Sequence, residues 1–230
     1  MRILKQDVNI TVPDEHFFRR LGYPSSYDPP EHVEVLMVWT KDWFANHANP
    51  WVGFTELDIR IADEKLFFNN TPIYSPKLLK RYQKHKVQKA ILIASTAGDQ
   101  ADIKCKELWD EDITDQSFFL DAYTASFAEA LVSFSAQAIK DWAAKKGLQT
   151  LSRYSPGYPG WPLEEQQKLM QLTKNQHIST PIQINESSIL SPQKSQISVL
   201  GLYVGEPSKD VEPACQTCSL LDCACLKKNH

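Results

Sequence analysis

Hydrophobic residues alternate with polar ones at Val33, Val35 and Met37, and again at Leu57, Ile59 and Ile61, which predicts extended chain over the first third. Asp63-Glu64 then gives a turn before Lys65 to Phe68, so an antiparallel pair is expected there. From Ser75 onward the period changes. Ser75-Pro76 combines a capping hydroxyl with proline at the first helical position, and Leu78, Leu79 and Tyr82 make the inward face of a helix. Val87 to Ala94 reads as a short apolar strand running into the small-residue loop Ser95-Thr96-Ala97-Gly98, and a helix follows from about Asp99 to Asp110. Such a unit can hold an anion at its helix start. A single glycine is thin support for that, and a plain structural loop is the expected reading.

The longest helix should run from about Asp115 to Lys146, with Gly147 placed to stop it. Phe119, Tyr123, Phe127, Leu131 and Phe134 recur at helical spacing, and Ala122, Ala125, Val132 and Ala136 repeat on another side. Between Gln116 and Ile139 the only charged residues are Asp121 and Glu129, so this helix is expected to be covered on both sides. Two carboxylates argue against a membrane span of that length. Glu129 lies among small residues and needs a partner. Two readings stand open: a structural bond to an Arg or to backbone donors, or a carboxylate held for a cationic ligand.

Composition narrows the picture. The chain has 230 residues, 42% hydrophobic and 23% charged, which is enough to bury a core. A net charge of −3 argues against a nucleic-acid partner. The one basic stretch, Lys77, Lys80, Arg81, Lys84, His85, Lys86 and Lys89, fits the solvated face of a helix. Lys5, Gln6 and Asp7 interrupt the apolar run an export signal needs, so a cytoplasmic protein is expected. The six histidines fall in no recognisable catalytic motif.

Cys105 stands alone in a predicted helix and reads as a small packing residue. Cys215, Cys218, Cys223 and Cys225 crowd the end of the chain, which is no layout for a disulfide framework spread over a domain. They could supply four thiolates to zinc or an iron–sulfur cluster, or form a redox-active tail.

The segment after the long helix, Arg153-Tyr154-Ser155-Pro156-Gly157-Tyr158-Pro159-Gly160-Trp161-Pro162, is stiffened by three prolines and carries an Arg with several aromatics. Arg can pair bidentately with a carboxylate, and Tyr offers a flat face with a hydroxyl at its edge. A binding loop and a rigid packing corner both fit. The residues Arg153, Pro156, Gly157, Tyr158 and Pro162 resemble the signature of the reactivation domain of cobalamin-dependent methionine synthase, which binds S-adenosylmethionine. Phe127 to Leu131 is similar to that family's Ala-Glu-Ala helix, and Asn185-Glu186-Ser187 with Ser191 to Ser195 is similar to its second strand-and-turn motif. Short members of the family also carry a tail like Cys215, Cys218 and Cys223. The likeness runs from about Leu78 to Cys223 and is weak before that.

The resemblance implies an α+β fold: a single domain with a mainly antiparallel, curved sheet packed by helices, one of them long and central. It implies an activation-like domain over residues 1–205 and a cysteine-rich tail over 206–230. It further implies that Arg153 meets the amino-acid end of S-adenosylmethionine, that the Ser155 backbone bonds the adenosyl part, and that Gly157 is among the cofactor-binding residues. Tyr158 would lie toward the corrin face, and Glu129 and Glu186 would stand near the ligand. Partners implied are a cobalamin-carrying methionine synthase or other corrinoid protein and a separate flavodoxin- or ferredoxin-like electron donor. Asn185 where a Thr is usual, and Ser198 where a Gly is common, depart from the family pattern. Two rival readings are a non-catalytic corrinoid-protein binding module and a metal or redox module acting through the tail.

Overall fold

In the computed structural model, which describes residues 2–4, 10–24, 27–174 and 180–207, the centre is β5 (Lys89–Thr96). It lies antiparallel between β2 (Trp51–Ala62) and β9 (Ser195–Tyr203), in a register that sets Phe54 opposite Ile93 and Ile91 opposite Leu200. Beyond β2 come β3 (Lys65–Phe68) and β4 (Thr71–Ile73); beyond β9 comes the short β6 (Gln149–Thr150). A further strand, β1 (Arg2–Leu4), pairs with the start of β2, giving seven described strands that are antiparallel throughout. A separate hairpin joins β7 (Gln183–Ile184) to β8 (Leu190–Ser191).

Strand periodicity splits the core in two. Ile91, Ile93, Leu200 and Leu202 enter one cluster, under α1 (Asp14–Leu21), α2 (Glu31–His47), α4 (Gln100–Asp110) and α5 (Thr114–Ala144). Ala90, Leu92, Ile197 and Val199 enter the other, with α3 (Pro76–His85) and α6 (Gln166–Lys174). A sheet buried on both faces explains why β5 reads as an unbroken apolar run. The two clusters share that sheet, so they make one domain of the expected mixed class.

The alternation at Val33, Val35 and Met37 misleads, because this segment is helical. Val33, Met37, Thr40 and Phe44 are buried at helical spacing, whereas Val35 is 62% exposed. Elsewhere the local signals hold. Asp63 and Glu64 both take positive φ (48° and 57°) in the turn joining β2 to β3. Ser75 caps α3 by accepting from the Leu78 amide at 3.3 Å. Ser95 and Thr96 extend β5 rather than forming a loop, and Ala97 to Asp99 join it to α4 with Gly98 at positive φ (92°). A Cβ on Gly98 would lie 3.0 Å from the Asn49 carbonyl oxygen, so this glycine serves close packing and not an anion.

The 31 residues of α5 make a rod about 46 Å long that crosses one face of the sheet. Its aromatic stripe meets the first two helices: Phe17 lies edge-on to Phe119 and Tyr123 at 6.0 and 5.2 Å, and Phe44 packs on Phe127 at 4.6 Å. Thr124, Ser126 and Ser135 satisfy their buried hydroxyls on carbonyls four residues back. The stripe ends before Phe134, which is exposed, so the C-terminal half of α5 is not covered as the sequence suggests. Cys105 packs half-buried against this core, as expected. No helix among the described residues is long and apolar enough to cross a membrane.

Candidate functional site

After α5 the chain joins the free edge of β9. Leu151 donates its amide to the Gly201 carbonyl at 2.9 Å, and Tyr154 exchanges two backbone bonds with Val199. Leu151 and Tyr154 enter the second core. Arg153 lies instead on the side of α5, where its Nη1 donates to Gln196 Oε1 at 3.0 Å.

The turn that follows is built by its glycines. Gly157 and Gly160 both take left-handed φ (85° and 83°), and the Gly157 amide closes onto the Trp161 carbonyl at 2.8 Å. Trp161 is only 1% exposed, stacked 6.0 Å from Tyr154 and edge-on to Phe68 at 6.4 Å. Tyr154 donates its phenol hydrogen to the Pro159 carbonyl, and burial pushes its pKa up. Ser75 donates to the Gly160 carbonyl at 2.8 Å, and Lys77 and Arg81 of α3 lie over the Tyr154 ring at 5.5 and 5.4 Å. Two members of the basic stretch are thus turned inward. For Trp161 the packing corner is the outcome. Tyr158 is half-buried, at a right angle to Tyr154 with the centroids 5.5 Å apart.

On the Arg153 side a groove of about 300 Å³ runs between α5 and the sheet edge. Ser133, Ala136, Gln137 and Lys140 form one wall, Gln149 to Arg153 the other, with Leu200, Tyr203 and Pro207 at the base and end. This is the lower bound of ordinary small-molecule sites. The Arg153–Gln196 bond matters most for its chemistry. Gln196 is neutral, so it fixes the guanidinium without cancelling the charge, and Arg153 has no ion-pair partner among the described residues.

Gln196 is itself placed by the turn before β9. The Gln193 amide donates to Asp102 Oδ2 at 2.9 Å, and Lys194 pairs with Asp121 at 2.7 Å. Partial burial raises the Asp102 pKa despite that bond. The Lys194 carbonyl accepts from the Ala97 amide at 3.0 Å, tying the turn to the end of β5. Ser198, two residues further, is fully buried, and its hydroxyl has no partner among the described residues.

Of the six ligand residues expected from sequence, Arg153 lines the groove. Glu129 lies on the same stripe of α5, one turn (about 6 Å) before Ser133. It is partly exposed and pairs with Arg20 of α1 at 3.3 Å, which is the structural bond to an Arg. Ser155 is nearly buried, Gly157 is exposed, and both lie with Tyr158 in the turn on the other face of the sheet edge. Glu186 is exposed in the β7–β8 hairpin, whose Asn185 carbonyl accepts from Gln167 of α6. Ser133, Gln137, Lys140, Gln149 and Gln196 were not legible as site residues. Cys215, Cys218, Cys223 and Cys225 lie outside the described residues. Among the described residues no group of three or more His, Cys, Asp or Glu could hold a metal ion.

No protein-family model and no curated protein matches the chain by sequence. By fold, it is similar to the crystal structure of the MetH reactivation domain bound to AdoHcy, with a TM-score of 0.62 and 14% identity. The likeness covers 85% of this chain and 75% of that one.

Proposed function

We propose that the chain is a reactivation module that binds S-adenosylmethionine and serves a cobalamin-carrying protein of the methionine synthase type. The observation that carries this reading is Arg153: a half-buried guanidinium held by a neutral amide in a groove, within a fold shared with a domain solved with AdoHcy. The fit is chemical. The groove offers a fixed cation for the ligand's carboxylate, and Ser133, Gln137, Gln149 and Thr150 supply donors and acceptors for the rest.

In this reading Arg153 takes the carboxylate and Gln196 holds Arg153 in place. Tyr158, in the turn beyond Arg153, faces the corrin-carrying partner; Ser155, Gly157 and Glu186 lie across the sheet edge from the groove and make no contact with the ligand, and Glu129 stands one turn of α5 from it. When bound, S-adenosylmethionine supplies a methyl group to the partner's cobalamin, with an electron from a separate flavodoxin- or ferredoxin-like donor. The chain's own share is positioning and electrostatics, so it needs no nucleophile or general base. Titration calorimetry tests the reading. S-adenosylmethionine and S-adenosylhomocysteine should bind saturably, and Arg153→Ala should weaken both by about 2 kcal/mol or more. No heat from either ligand at millimolar concentration would remove it.

A further inference from the structure

Among the described residues, both charges that line the Arg153 groove are positive. Arg153 stands on the strand side and Lys140 on the α5 side, while the remaining lining residues are neutral. Acids do lie nearby, but none of the described ones lines the groove. Asp141 follows Lys140 on α5 and accepts from Gln137 Nε2 at 2.7 Å, Glu129 pairs with Arg20, and Glu206 is an exposed neighbour of Pro207. Gln196 leaves the charge of Arg153 uncancelled.

The two S-adenosyl ligands differ in the charge they bring. S-adenosylhomocysteine is a neutral zwitterion, with one carboxylate, one ammonium and a thioether sulfur. S-adenosylmethionine has the same amino-acid end and a sulfonium besides, so it carries one net positive charge. An Arg that fixes the shared carboxylate brings the sulfur, three bonds beyond the α-carbon, into a groove with two cations. From this we infer that the site is charge-selective: it prefers S-adenosylhomocysteine to S-adenosylmethionine, and Lys140 is the residue that sets the ratio. The inference rests on the reading given under Proposed function. Its consequence is that the demethylated product competes for the site, so occupancy follows the ratio of the two ligands and not the level of S-adenosylmethionine alone.

Lys140 is exposed and its side chain makes no hydrogen bond or ion pair with the described residues, so its substitution tests the charge and not the folding. Calorimetric titration of both ligands should show the homocysteine form binding about three- to tenfold more tightly at low salt, a range set by partly screened charges a few ångströms apart. Lys140→Glu should bring the ratio to one or reverse it, and raising the salt in the wild type should narrow it. Equal or tighter binding of S-adenosylmethionine by the wild type overturns the selectivity and leaves the proposed function standing. A ratio unmoved by Lys140→Glu overturns the role of Lys140. Binding of neither ligand overturns both readings together.

Discussion

Replacing Trp161 tests whether the aromatic turn after Arg153 is a packed corner that positions the groove edge. The indole is 1% exposed and sits between the Tyr154 ring and Phe68. Truncating a buried Trp to Ala ordinarily costs about 3–5 kcal/mol. One effect works the other way: Trp161 Nε1 is buried without a hydrogen-bond partner among the described residues, and removing such an orphan donor recovers about 1–3 kcal/mol. Trp161→Ala should therefore cost about 2 kcal/mol net. For a domain of this size that is a fall of roughly 4–8 °C in melting temperature. Trp161→Phe keeps a ring in the slot and discards the orphan N–H, so it should cost about 1 kcal/mol or less. Urea midpoints and calorimetric melting of the two variants give both numbers. A Trp161→Ala change below about 1 kcal/mol, or a stable Trp161→Phe protein that no longer binds either S-adenosyl ligand, would refute the reasoning and make the indole a ligand contact.

Two further outcomes follow from the same packing. A Cβ at Gly201 would stand 2.9 Å from Cε1 of the buried Tyr82, whose ring is held beside Phe68, so Gly201→Ala should cost about 1–3 kcal/mol in urea unfolding. The Cys105 thiol is pushed up to about 11, mainly by burial, and stays neutral in the folded state. Its raised value means stability that is fully present below about pH 9 and is lost as pH rises toward 11, because the unfolded thiol ionises first. Cys105→Ala should flatten that part of the alkaline slope of the urea midpoint; identical slopes would contradict the assignment.

What could be read from sequence was what the chain settles locally. The Ser75-Pro76 cap, the Asp63-Glu64 turn and the apolar run of β5 each need only a few neighbouring residues, and each is found within two residues of its expected place. Helix α2 was hidden because Val35 and Val38 are exposed and Thr40 is buried, which blurs the helical stripe and leaves a chance alternation at Val33, Val35 and Met37. At the site, the Arg and its glycine-proline turn were visible as a motif, but the motif did not say which side chains face a ligand. Trp161 turned into the core because Gly160 passes within contact of Lys77 and the indole fills the space behind Tyr154. Gln196 is 43 residues from Arg153, and Arg20 is 109 residues from Glu129. Those pairings exist only once the sheet edge and the helix layer have formed. Lys140 read as one more polar position on a long helix, and it joins the groove because the last turns of α5 lie over the β6 edge.

The central claim is that an S-adenosyl ligand sits against Arg153, and side-chain nitrogen NMR reads that place directly. On titration with S-adenosylhomocysteine the Arg153 Nε and Gln196 amide signals should shift together and saturate, while the Gln167 amide, bonded to the Asn185 carbonyl on the other face, should not move. Saturable binding that moves Gln167 and leaves Arg153 and Gln196 unchanged would contradict the account.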